Sequence, residues 1–180
     1  MRKIALLALL VCCYGCRSTG VYIIPIPKYG IDGLMYARGI GESGSLSMAL
    51  SMANNRARTQ LALDAEADII ALIDDFQQQI GSAVNKNQVN EVFTQVSEAL
   101  ADGKLKNTRV HKEKTEEMDD GVYRAQVVMA MPVKDNIEEP LDQEIELKED
   151  EALKQEFQAW KAKQSLLDRI RENRNRKGIQ

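Results

Sequence analysis

The spacing of apolar positions changes period several times along the chain, and each change marks an element. From Gly33 to Gly41 the residues alternate, with Leu34, Tyr36, Arg38 and Ile40 on one side and Met35, Ala37, Gly39 and Gly41 on the other. A period of two predicts a strand. Ser43 and Ser45 follow, and either can cap a helix by accepting a free backbone N–H. The period then becomes three and four: Leu46, Leu50, Ala53, Ala57, Leu61, Ala65, Ile69, Leu72, Phe76 and Ile80 share one helical face. The first half of that face is small, and the glycine side of the strand leaves room for it, so close packing of helix on sheet is expected. Unbroken, such a helix runs roughly 50 Å, more than a small sheet covers. The overhang, from about Asp68 to Ile80, is therefore expected to offer a surface to a partner.

Gly81 to Gln88 reads as a polar loop. Asn87 can cap a second helix that buries Val89, Val92, Phe93, Val96 and Leu100 and stops at Ala101-Asp102-Gly103. Strands are predicted over Leu105 to Glu116 and Val122 to Met131, joined by the turn residues Met118-Asp-Asp-Gly121. In the last strand Tyr123, Ala125, Val127, Met129 and Met131 make the better core face. The strand before it is heavily charged, which suits a wet face or a sheet edge.

After the last strand the chain is strongly acidic from Glu138 to Glu151, and Pro140 argues against an early helix start. One helix is expected from about Lys148 to about Asn173, with Leu153, Phe157, Trp160, Leu167 and Ile170 as a sparse apolar stripe. Docking of this helix on its own domain is the simplest expectation; a partner-binding or self-associating helix is the alternative.

Composition narrows the function. The net charge is −3, whereas nucleic-acid binders usually present a basic face, so none is expected here. All the cysteines (Cys12, Cys13, Cys16) fall near the N-terminus, and His111 is the only histidine. A disulfide framework or Cys-based metal site in the domain is thereby excluded. Tyr36, Arg38, Glu42, His111 and Arg124 are the polar residues considered for a site. No spacing among them supplies a nucleophile with its base and orienting group, and His111 among lysines and acids reads as a solvated side chain. Gly39-Ile-Gly-Glu-Ser-Gly44 offers a phosphate-cradling loop as the sharper alternative to close packing, but it lacks P-loop spacing and its lysine, and Glu42 would repel a phosphate. No cofactor, no metal and no catalysis are expected.

The N-terminal end carries the clearest address. Met1-Arg2-Lys3 is basic, Ile4 to Val11 is an unbroken apolar run, and Gly15-Cys16 follows. This is the layout of a signal peptide, and the run is too short to span a bilayer. A cysteine just after a small residue resembles the acylation site of a bacterial lipoprotein, with Cys16 as the lipid attachment residue. Cys13 and Tyr14 stand where that pattern prefers leucine and a small residue, and an ordinary signal peptide cut nearby is the alternative. Arg17 after the cysteine, by resemblance to lipoprotein sorting, implies the outer membrane. Residues 17–32 contain Gly20, Pro25, Pro27 and Gly30 and read as an extended tether, made stickier by Val21-Tyr-Ile-Ile24, for which lying on the domain as an edge strand is an alternative limited by the prolines.

YARGIGES from Tyr36, an alanine-rich helix containing NNRARTQLA, a second helix, and TRVHKEKTEEMDDGVYRAQVVMAMP ending at Pro132 together resemble the LPP-twenty lipoprotein family. The resemblance covers roughly Gly33 to Val133. It implies a strand–helix–strand–strand α+β fold and an envelope location; known members are surface or periplasmic lipoproteins, some associated with flagellar accessory structures. It brings no catalytic pattern.

The expected architecture is thus α+β. A small antiparallel sheet of about three strands (strand–helix–helix–strand–strand) is packed by a long alanine-rich helix, and a C-terminal helix is added. The expected divisions are a signal peptide at 1–15, a tether at 16–32, the α+β domain at 33–133, and an acidic linker with the C-terminal helix at 134–180. The expected function is a non-catalytic outer-membrane lipoprotein, with its domain on the periplasmic side, binding a protein partner or itself. A ligand- or peptidoglycan-binding module on the sheet face opposite the helices is the alternative, and an envelope hydrolase a more distant one.

Overall fold

A computed structural model describes residues 23–26, 33–81, 84–102 and 104–176. The signal peptide, Cys16, much of the tether and Gly103 lie outside the described residues. The chain is α+β. Strand β1 (Leu34–Ser43) is followed by α1 (Leu46–Gln79), α2 (Lys86–Ala101), β2 (Arg109–Glu117) and β3 (Tyr123–Pro132). A wide π-helical turn (Lys134–Glu138) then leads into α3 (Glu139–Glu146), α4 (Glu151–Lys163) and α5 (Leu166–Arg176). The sheet is antiparallel in the order β1-β3-β2, so the last strand of the sequence is its centre.

Local chemistry accounts for most boundaries. Ser45 begins α1 by position, but its side chain makes no capping hydrogen bond; its hydroxyl lies 3.0 Å from that of Ser47 instead. The second helix is capped by Asn85, not Asn87: the Asn85 side chain accepts from the Asn87 N–H at 3.0 Å. In the hairpin, Gly121 has φ +74°, the left-handed conformation glycine adopts without strain, and Asp120 accepts from the Val122 N–H. The strand expected from Leu105 starts only at Arg109. The residues before it are held by Asn136, whose amide bonds both the N–H and the C=O of Lys106.

The tail departs furthest from expectation. Pro140 does not delay the helix but sits in the first turn of α3, where its missing N–H is tolerated. The π-helical turn just ahead, closed by the Glu139 N–H bonding Lys134 C=O, carries the chain into it. The single helix expected over about 148–173 is two, because Gln164 is extended and Ser165 starts α5 afresh, bonding the Asp168 N–H.

One continuous core runs beneath the sheet. Met35 and Ala37 of β1 and Ala125, Val127, Met129 and Met131 of β3 face Ala49, Ala53, Ala57 and Leu61 of α1. Gly39 and Gly41 lie against the helix itself. A Cβ on Gly39 would fall on the Ala53 carbonyl and 2.5 Å from the Ala57 amide nitrogen; on Gly41 it would strike the Ala49 carbonyl and come within 2.8 Å of the Ala53 nitrogen. That contact, and not a ligand, occupies the space a phosphate cradle would need.

The apolar face of the α1 overhang, expected to be open, is covered by the chain's own helices. Ile69, Leu72 and Phe76 are fully buried beneath α2, α4 and α5. Phe76 is the hub, with ring centroids 6.1 Å from Phe93, 5.7 Å from Phe157 and 5.1 Å from Trp160. The chain has three phenylalanines and one tryptophan, and all of them meet here. Leu166 joins the stripe as a fully buried residue, while Leu167 is only partly covered.

Gly39→Ala should lower stability by about 3 kcal/mol or more, because the helix backbone cannot yield as a side chain would. Gly44, with nothing within 4 Å of an added Cβ, is the control, and Gly44→Ala should change stability by less than about 1 kcal/mol. Urea-unfolding midpoints of the two variants check this.

Candidate functional site

Two places gather polar residues: the tail junction and the outer face of the sheet. At the junction, Arg169 of α5 is buried at 4% exposure. Its guanidinium donates to the Asp75 carboxylate, to Trp160 C=O at 2.6 Å and to Gln164 C=O at 3.3 Å, and lies 4.3 Å over the Trp160 ring. The C-terminal carbonyls of α4, which no helical N–H can reach, are thereby satisfied from the next helix. Trp160 Nε1 donates to the same Asp75 at 3.0 Å. One turn along, Arg174 grips Asp68 through two nitrogens, at 2.9 and 3.0 Å. A cavity of about 240 Å³ opens beside Asp75, Arg169, Lys163 and Glu172. Asp75 and Arg169 are bonded to each other and join α1 to α5, and Glu172 pairs with Arg176 within α5.

The outer face is built by register. Cross-strand partners share a face, which places Tyr36, Arg38 and Glu42 of β1 beside Ala130, Val128 and Arg124 of β3. The same face of β2 carries Arg109, Lys112, Lys114 and Glu116, opposite Ala130, Val128, Gln126 and Arg124. The pairing slips between Val110 and Lys112, a bulge in which an extra residue opposes one on the partner strand. His111 is that residue, and its ring reaches across β3 to meet Tyr36 edge-on at 4.9 Å; the small Ala130 leaves the way open. At one end Arg124 spans the sheet, bonding Glu42 at 2.6 Å and Glu116 at 3.3 Å. Hydrogen bonding to Glu42 raises the Arg124 pKa above its ordinary value, with a weaker opposing effect of desolvation.

The middle of this face is covered by the tether. Ile24 is fully buried against Tyr36, Val128 and Ala130. Its N–H donates to Gln126 Oε1 at 3.0 Å, and its C=O accepts from Arg38 Nη1 at 3.0 Å. Both backbone groups of one extended residue are thus held by side chains of the sheet. Ile23 and Ile26 on either side remain 49% and 43% exposed.

Of the residues singled out from sequence, Tyr36, Arg38 and His111 come together on the outer face, while Glu42 and Arg124 pair at its end. Ile24 lies on the domain, as the apolar run Val21 to Ile24 suggests, while Gln126, which holds it, was not singled out. The signal was present: Val128 and Ala130 are apolar on what should have been the wet side of β3, and a central strand apolar on both faces is covered on both. On the open side of β1, Arg56 donates to Ile40 C=O at 2.6 Å, blunting the sheet edge beside a shallow cleft of about 510 Å³ lined by Arg38, Asn55, Arg56 and Gln60. Among the described residues no group of three or more His, Cys, Asp or Glu could hold a metal ion, and no helix is long and apolar enough to cross a membrane.

Comparison of the chain with protein-family models, with curated proteins and with solved structures gave no match.

Removing the buried guanidinium leaves Asp75 and two carbonyls without their partner. Arg169→Ala should therefore cost about 3 kcal/mol and release α5. The check is urea unfolding, with limited proteolysis expected to cut first between α4 and α5.

Proposed function

We propose that this chain is a non-catalytic envelope lipoprotein of the LPP-twenty kind, anchored through acylated Cys16 in a bacterial outer membrane. Its domain sits on the periplasmic side as a structural or protein-binding component. The observation that carries this reading is the grip on Ile24. A tether serving only as a flexible leash has no reason to spend a buried glutamine and an arginine on one of its own residues. A tether that transmits the position of an anchor does. The deployment of other buried polar groups agrees: Asp68 and Arg169 fix α5 to its neighbours, and Asn136 fixes the segment ahead of β2.

The reading as a ligand- or peptidoglycan-binding module needs an open sheet face, and Ile24 fills the apolar centre of that face. A hydrolase built on His111 needs a nucleophile or acid beside it, and its ring contact is with Tyr36.

Growth with labelled palmitate tests the anchor. The wild-type chain should take up label and fractionate with outer membranes, and Cys16→Ala should lose both. Unchanged labelling of Cys16→Ala would overturn the proposal.

A further inference from the structure

The outer face has a charge at odds with the rest of the molecule. The chain as a whole carries a net charge of −3. On this face Arg38, Arg109, Lys112 and Lys114 stand with Arg124, against only Glu42 and Glu116. Those two carboxylates lie at one end; both are bonded to Arg124, and Glu116 also pairs with Lys114 at 3.5 Å. The remaining acids of β2, Glu113 and Glu117, pair with Val127 and Tyr123 in the register and so point to the other face. The bulge adds to the segregation, since it keeps His111 and Lys112 together on the outer side. Arg109, His111 and Lys112 are exposed. The same face carries Ile24, flanked by the half-exposed Ile23 and Ile26. Cations beside exposed apolar side chains are the combination that binds the headgroup region of an anionic bilayer.

Chain length supplies the second argument. The eight steps from Cys16 to Ile24 reach at most about 29 Å when fully extended. Ile24 is fixed to the outer face, so an acyl anchor on Cys16 holds this face within that reach of the membrane. We propose that the outer sheet face docks on anionic lipid headgroups of the membrane that holds the anchor, with Arg109 and Lys112 meeting phosphates and Ile23 and Ile26 entering the interface. This deepens the reading given above and rests on it for the anchor.

The test uses acylated full-length protein carrying an environment-sensitive fluorophore on Ile23→Cys. It is reconstituted with vesicles of phosphatidylcholine alone or of equal parts phosphatidylcholine and phosphatidylglycerol. The probe should brighten and shift to the blue only with the anionic vesicles. The change should disappear in the double variant R109E/K112E, and in the unmutated row at about 1 M NaCl, where charges are screened beyond about 3 Å; the salt arm needs no change to β2. Equal signals from the two vesicle types, or a signal untouched by both charge reversal and salt, would overturn the docking proposal and leave the row to a protein partner. Co-flotation with phosphatidylcholine vesicles reports the anchor separately. A chain that fails to float has lost the Cys16 reading, yet its response to anionic vesicles still decides the role of the face.

Discussion

At Gly39 and Gly41 the backbone of α1 rests on the backbone of β1, with no space for a side chain between them. This contact fixes the helix at its alanine end, over the sheet, and so decides where the rest of it goes. A helix of 34 residues is about 51 Å long, while a strand of 10 residues is about 33 Å. The helix must therefore leave the sheet behind. Its far half buries Ile69, Leu72 and Phe76 only because α2 and the tail come to cover them. The aromatic side chains of Phe93, Phe157 and Trp160 are consumed in doing so.

Covering the overhang with a tail raises a second problem, since the tail is rich in charge and breaks between two helices. Arg169 solves both parts. It neutralises Asp75 on α1 and completes the carbonyls left open where α4 ends. A buried charge is tolerated when paired and fully hydrogen-bonded, and is costly otherwise. The same device recurs with neutral groups. Asn136 holds the backbone of Lys106, and Gln126 with Arg38 holds that of Ile24. Side chains from regular elements thus satisfy the backbone of irregular ones, and both Ile24 and the tail helices become parts of one body. A membrane anchor joined to such a body would orient it, which a free leash would not.

Much of this was legible in the sequence. The strand-to-helix change of period at Ser43, the glycine side facing the alanine side, the buried face of α2 and the Gly121 hairpin follow from spacing and turn chemistry. What escaped has physical causes. Pro140 was taken as a barrier because proline disrupts helix interiors, but a first turn needs no N–H from it. Asn87 and Asn85 have the same capping chemistry, and only the geometry of the chain selects between them. The end of α4 depends on Arg169, which sequence alone reads as one more basic residue suited to a helix C-terminus. The overhang of α1 seemed free because a tail with a sparse apolar stripe gives no sign of which surface it will meet. For the candidate site, Tyr36, Arg38 and His111 were named but not joined, because the bulge that swings His111 toward Tyr36 is a property of register. The apolar run ending at Ile24 suggests an edge strand, but Ile24 lies over the sheet face instead, held by Gln126, a polar residue on a strand side expected to be wet.

The most direct measurement is amide hydrogen exchange at Ile24 in the acylated protein. A tether held on the sheet gives an Ile24 N–H protected by several orders of magnitude, comparable to amides of β3, because exchange then requires breaking its bond to Gln126. Gln126→Leu should abolish that protection while β3 itself stays protected. Exchange of the Ile24 N–H at the rate of an unstructured peptide would contradict the docking of Ile24 on the sheet, and with it the orienting role proposed for the tether.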